Sequence, residues 1–444
     1  MSLIRKIGKE ETANVAAKTF KDASYPAPFA SGLEYAAPAR GTWNIVHTGM
    51  LIPEAHQIFV CAQGCLRGVV LTAAELGMSE SFSTVAVRQN NVISGDNEEL
   101  IIEGVTDIIE KLPKRPRAVL VYTSCVHHFL GCDLSVCYSE LRRRFPDIRF
   151  TDCYMNPIMR KSGMTPDAKM RLRLYSLLDK TDLNPKTVSF VGGDFAIDKD
   201  SEICRMLVDN GFTIREVPGT KTFDEYLKLS EASVCITTFP AATAAGKDLE
   251  KKHGQKHLHL PFSFDYDEII GNYKILCDTL GIELPDYSDK IKECEKALLE
   301  LREHIGDTPI TIDYTAFSRP LSLALLLLRH GFNVTRIYCD SFTGEEKKDF
   351  EDMQNEFPEI ALYPTVHTSM RVEPRRSEEK IVAIGQKAAY FCGTEHFVNI
   401  VESGGYYGFE AILKLCRDIM DAYDEPKDTR SLIQIKGMGC CGCV

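Results

Sequence analysis

Short apolar runs alternate with amphipathic helical stretches along most of this chain, and that alternation restricts it to a small set of folds. The runs fall into three groups: 43–46, 57–60, 84–87, 118–122 and 148–151; then 188–191, 213–217, 233–237 and 258–260; then 309–313, 333–338, 359–363, 381–384 and 397–401. Between them the spacing predicts helices, for example over 98–111, 289–304 and 320–330. Strand and helix in regular alternation give parallel strands with helices on both faces. A chain of 444 residues exceeds what one ordinary hydrophobic core serves. The expected fold is therefore α/β, with three Rossmann-like domains, each a doubly wound, mostly parallel sheet. The expected divisions are 1–185, 186–262, a helical bridge over 263–308, and 309–444. Residues 1–40 read as a helix followed by an extended arm that lies over another surface.

Charge and hydropathy narrow the function classes. The formal net charge of −11 argues against nucleic acid as a partner, because phosphate binding needs a basic face. The compact basic run Arg142-Arg143-Arg144 falls in a helical stretch and reads as a solvated face. The longest apolar run, 321–328, is too short to span a bilayer and is bounded by Pro320 and Arg329. The opening residues are charged and hold no apolar segment of a secretory signal. A cytoplasmic protein with no membrane partner is the expectation.

Common nucleotide and hydrolase signatures are missing from the sequence. There is no G-x-x-x-x-G-K-[ST] loop, no G-x-G-x-x-G after a strand and no G-x-S-x-G elbow. Val191-Gly192-Gly193-Asp194 closes a strand, but a lone glycine pair is the mark of a tight turn.

Cysteine then carries the argument. A reducing compartment keeps thiols free, so sixteen cysteines point to metal or cluster chemistry plus scattered core residues. Cys61 and Cys65 follow one apolar run, and Cys125 and Cys132 follow another, each pair on the loop that opens a helix. Ligands of α/β sheets gather at that end of the strands, and a helix start favours thiolate. Four thiolates usually hold an Fe–S cluster, and an interfacial cluster can draw them from two chains. Cys65 and Cys125 read as cluster ligands. Cys61 and Cys132 read equally as ligands or packed thiols, and His127 and His128 as hydrogen-bonded neighbours of Cys125. Cys137 and Cys153 read as structural, and Cys204, Cys235, Cys277, Cys294, Cys339, Cys392 and Cys416 as core thiols. The glycine-spaced tail with Cys440, Cys441 and Cys443 reads as a mobile, exposed arm.

Four stretches in order resemble the nitrogenase component 1 superfamily: Val60-Cys61-Ala62-Gln63-Gly64-Cys65, the segment 89–100, Val121-Tyr122-Thr123-Ser124-Cys125, and Gly404-Gly405-Tyr406-Tyr407-Gly408-Phe409-Glu410. The resemblance covers nearly the whole chain. It implies an oxidoreductase component with an Fe–S cluster, [4Fe-4S] or a larger P-type cluster, at the boundary with a like subunit. That assembly would be a homo- or heterodimer or tetramer, fed electrons by a separate ATP-dependent Fe–S reductase. It also allows a cluster or cofactor assembly scaffold. Departures from the family pattern shape the expectation. No cysteine stands between Gly41 and Gly49, where nitrogenase subunits carry a further cluster thiol. Thr237-Thr238-Phe239-Pro240 replaces the loop that supplies their cofactor cysteine, and residues 399–403 hold no histidine. The implied substrate is therefore not dinitrogen. Thr237, Thr238, His396, Glu402 and Tyr406 are the implied polar contacts of the substrate cleft.

Overall fold

Three separate sheets carry the fold in the computed structural model, which describes residues 16–35, 37, 39, 45–75, 77–156, 163–371 and 379–433. The strands are β1 (Lys18–Thr19), β2 (Ala55–Ala62), β3 (Phe82–Val87), β4 (Ala118–Ser124), β5 (Arg149–Met155), β6 (Asn184–Phe190), β7 (Thr213–Glu216), β8 (Ala232–Thr237), β9 (Lys256–His259), β10 (Ile310–Asp313), β11 (Val334–Tyr338), β12 (Ala361–Tyr363), β13 (Val382–Ile384) and β14 (Phe397–Val398). The first sheet has the order β3-β2-β4-β5, the second β7-β6-β8-β9, and the third β1-β12-β11-β10-β13-β14. All neighbours run parallel except β1 and β12. The α/β class with several parallel sheets is as the strand–helix alternation requires.

The described residues divide into two compact units. One holds those before Thr42, those of 197–206 and those from Pro261 on; the other holds 42–196 and 207–260. The first and second sheets belong to the latter unit and the third sheet to the former.

The first sheet shows why its strands read as unbroken apolar runs. Every residue of β4 is buried, and β2 is buried from His56 to Cys61, because helices cover both faces of a parallel sheet. Alternate residues serve different cores. Ile58, Val60, Val119 and Val121 pack with Ile101, Val105 and Ile109 of helix Asn97–Lys111. Phe59, Cys61, Leu120 and Tyr122 face the opposite core, with Met170 and Leu174. The Arg142–Arg144 run is the solvated face expected of it: Arg143 and Arg144 pair with Glu140, and Arg144 also with Glu103.

One expected strand is not a strand. Ile45 and Val46, read as part of an extended run over 43–46, lie in the short helix Ile45–Gly49; Trp43 lies outside the described residues. Packing decides the conformation. Both side chains enter the core shared with Phe59 and Tyr122, and the Tyr122 hydroxyl donates to the Ile45 carbonyl at 3.1 Å. Gly49 makes the approach possible, since a Cβ there would stand 2.1 Å from the Tyr122 oxygen.

The extended arm ends differently from the rest of the topology. Lys18 and Thr19 add antiparallel to the edge of the third sheet, opposite Leu362 and Ala361. Phe20 is buried beside Phe350, with ring centroids 5.4 Å apart. The helix expected before this arm and the Cys440–Cys443 tail lie outside the described residues. Among the described residues no helix is long and apolar enough to cross a membrane; the apolar run is the ten-residue helix Pro320–Arg329, buried in its own unit.

Candidate functional site

Cys61, Cys65 and Cys125 lie at the carboxyl edge of the first sheet, and strand register brings them there. β2 and β4 run parallel with Val60 opposite Thr123. Cys61, the next residue, therefore stands level with Ser124, and Cys125 follows as the first residue of helix Cys125–Phe129. Helix Gln63–Glu75 starts straight after β2 and carries Cys65 at its third position. Cys65 is exposed and Cys125 half-buried, whereas Cys61 is fully buried within the core of Phe59 and Tyr122.

Cys65 and Cys125 act on the charge of Cys61, and Cys125 on that of Cys65. Burial pushes the Cys61 thiol up to about 12, and both Cys65 and Cys125 add to that rise. The Cys65 thiol is also raised, first by the crowding of its sulfur and then by Cys125. The helix start was expected to favour thiolate at Cys65; desolvation and the neighbouring sulfur act in the opposite sense. A bound metal cation reverses such a balance, because metal binding deprotonates its thiol ligands. Among the described residues no three His, Cys, Asp or Glu side chains gather closely enough for a single metal ion.

Cys132 stands apart from this trio. Its thiol is raised by burial and by Glu98, and it in turn raises the buried Cys137, which burial pushes up to about 11. Glu98 accepts the Asp133 amide at 2.8 Å, and Asp133 caps helix Leu134–Arg144. Cys137, Cys153, Cys204, Cys235, Cys277, Cys294, Cys339, Cys392 and Cys416 are all buried free thiols.

The histidine pair is unequal. The Ser124 amide donates to His127 Nδ1 at 3.2 Å, which fixes that nitrogen as an acceptor. The ring is buried, and its Nε2 has no hydrogen-bond partner among the described residues. His127, His128 and Cys132 share the wall of a cavity of about 420 Å³ with Tyr154, Asn156 and Lys169. Sequence reasoning missed these last three residues and Glu98. Tyr154 and Asn156 end or follow β5, one strand over from β4, and only sheet order brings them to the site.

Thr237, His396, Glu402 and Tyr406, four of the five residues read as substrate contacts, have internal partners. Thr237 Oγ1 lies 2.9 Å from His257 Nε2 and 2.8 Å from His259 Nδ1. His396 Nδ1 donates to the Ala422 carbonyl at 2.9 Å, and the Tyr406 hydroxyl donates to Asp418 at 2.5 Å. Glu402 adopts φ 49° at the turn before Gly408–Asp424, its amide donating to the Thr315 carbonyl at 2.8 Å. Thr238 is half-buried at the end of the second sheet.

The architecture is that of a nitrogenase component 1 protein. The structure titled "Nitrogenase Cp1 at pH 6.5" superposes with a TM-score of 0.65 at 15% identity, covering 89% of this chain and 93% of its own. "Nitrogenase Cp1 at pH 5" gives a TM-score of 0.59 at 11% identity, with 92% and 93% covered. At those identities the likeness concerns the fold. A comparison with curated proteins finds no match. The model of the nitrogenase component 1 type oxidoreductase family matches residues 46–426, and the chain belongs to that family.

Proposed function

We propose that the chain is the cluster-bearing component of a two-component reductase, with Cys65 and Cys125 as cluster ligands. The supporting observation is the pairing of two accessible thiols at the ends of adjacent parallel strands, backed by the buried thiol of Cys61. Two thiolates are half of the usual four, so a like subunit would complete the set of a [4Fe-4S] cluster at their boundary. When bound, such a cluster accepts and passes on single electrons. Cys65 and Cys125 anchor it at rigid strand ends. The Phe59 and Tyr122 side chains, stacked with ring centroids 4.2 Å apart in the core that holds Cys61, keep water from its inner side. Cys61 stays a protonated packing thiol in this reading, and Cys132 belongs to the neighbouring cavity.

The electrons would come from a separate ATP-dependent Fe–S reductase, since this sequence has no phosphate loop of its own. The substrate is not dinitrogen in this reading. Thr237, where nitrogenase subunits would offer their cofactor cysteine nearby, is engaged by His257 and His259. The protein would work in the reducing cytoplasm, where its thiols stay free. The test is oxygen-free purification followed by electron paramagnetic resonance of the dithionite-reduced protein. A signal present in the parent and lost in Cys65→Ala and Cys125→Ala supports the assignment; a signal unchanged in both removes it.

A further inference from the structure

We propose that the cavity at the carboxyl ends of β4 and β5 binds a compact oxyanion, held by the imidazole of His127 and the ammonium of Lys169. Four observations lead there. First, His127 is an oriented donor. Its Nδ1 accepts the Ser124 amide at 3.2 Å, so in the neutral ring Nε2 carries the hydrogen. That Nε2 is buried on a residue only 2% exposed, and it has no partner among the described residues. A buried donor without an acceptor is destabilising, a cost that a bound acceptor removes.

Second, Lys169 brings a cation to the cavity wall, although the Glu98 carboxylate acts on its neighbours His127 and Cys132. Lys169 Nζ sits 4.0 Å from the centre of the Tyr154 ring, and no described carboxylate lies within ion-pairing distance of it. The nearest acid, Asp152, is committed: Arg173 pairs with it at 2.6 Å and the Tyr154 hydroxyl donates to it at 2.6 Å. Two cations thus share one carboxylate, which leaves the Lys169 charge without its own counter-ion. Third, burial and then the Arg173 charge lower the Lys169 pKa. An anion in the cavity would oppose both effects. Fourth, about 420 Å³ leaves room for a small organic acid or phosphate. His127, His128 and Cys132 line the cavity yet do not converge on a metal.

The site uses none of the thiols at positions 61, 65 and 125, although His127 lies two residues beyond Cys125 on the same helix. Isothermal titration of the full chain, with inorganic phosphate in one arm and succinate in the other, tests it. The expected result is saturable binding of at least one probe with Kd of about 1 mM or tighter. The arm that binds distinguishes an inorganic or phosphoryl ligand from an organic carboxylate. Lys169→Gln should weaken binding roughly tenfold or more, the loss of a charged hydrogen bond, while Lys169→Arg stays within a few-fold of the parent. His127→Gln should weaken it as well, and thermal melts report whether each variant is folded. Repeating the titration on Cys65→Ala separates loss of the cluster from loss of the pocket. No saturation in either arm, or a Kd unmoved by Lys169→Gln, overturns the proposal.

Discussion

The carboxyl ends of the first and third sheets both carry polar side chains, but one end is closed on itself and the other is open. At the third sheet, Asp313 at the end of β10 accepts the Thr315 amide at 2.7 Å, the Thr315 hydroxyl, and the Ala388 amide at 2.7 Å. Lys387 donates to the Tyr314 hydroxyl at 2.8 Å and the Thr365 hydroxyl at 3.0 Å. Asp340 takes the Thr365 and Val366 amides at 2.7 and 3.1 Å. Gly385, at φ 107°, has no room for a side chain: a Cβ would lie 2.2 Å from an Asp313 oxygen. At the first sheet, by contrast, Cys65 is exposed, the His127 Nε2 is unpartnered and a cavity remains. The same position in the same kind of sheet serves stability where its polar groups satisfy one another. It is available for chemistry where they do not.

Substitutions should separate the two ends, and the largest effect belongs to the closed one. Lys387→Met leaves the Tyr314 and Thr365 hydroxyls without their buried donor and removes a cation acting on Asp313, and should cost about 1–3 kcal/mol in urea unfolding. Burial pulls Lys387 down, yet Tyr314, Asp340 and Asp313 leave it raised on balance, so its charge is part of the folded network.

The pH responses of the two units should have opposite signs. His56 in β2 is held down to about 4 by burial, from an ordinary 6.5. Its unfolded form takes up a proton first, so local stability falls as pH drops from 6.5 through about 4. Glu346, in the unit of the third sheet, is raised by burial from 4.5 to about 8. There the unfolded form loses its proton first, so stability falls as pH rises from 4.5 through about 8. Hydrogen-exchange protection factors for β2 and for helix Lys347–Glu356, compared at pH 5 and 7.5, should move in opposite directions.

At the open end the stability effects shrink while the functional ones grow. Cys61→Ala removes a packed thiol and should cost about 1 kcal/mol with iron content retained. Cys65→Ala should change stability by less than about 0.5 kcal/mol, yet abolish iron binding. A Cys65→Ala protein as unstable as Lys387→Met would erase the contrast between the two ends.

The open end was largely legible in the sequence, and the closed end was not. Apolar runs before Cys61 and Cys125 located the strand ends, because strands buried on both faces leave a continuous hydrophobic signature. The cavity was invisible because Tyr154, Asn156 and Lys169 reach it through sheet order rather than through spacing along the chain. The Asp313–Lys387 network was hidden for the same reason, with partners drawn from four strand ends. The run at 43–46 misled because a short apolar stretch carries no period long enough to tell helix from strand. The Tyr122 hydroxyl that settles it lies far along the sequence. β1 offered no signal at all, since two residues on a sheet edge need only a free edge to pair with.

The central claim is that Cys65 and Cys125 hold iron. Iron and acid-labile sulfide determined on protein purified without oxygen test it most directly. The account predicts iron and sulfide in near-equal amounts in the parent chain, both lost in Cys65→Ala and Cys125→Ala while the fold is kept. An iron-poor parent, or variants that retain the full complement of both, would contradict it.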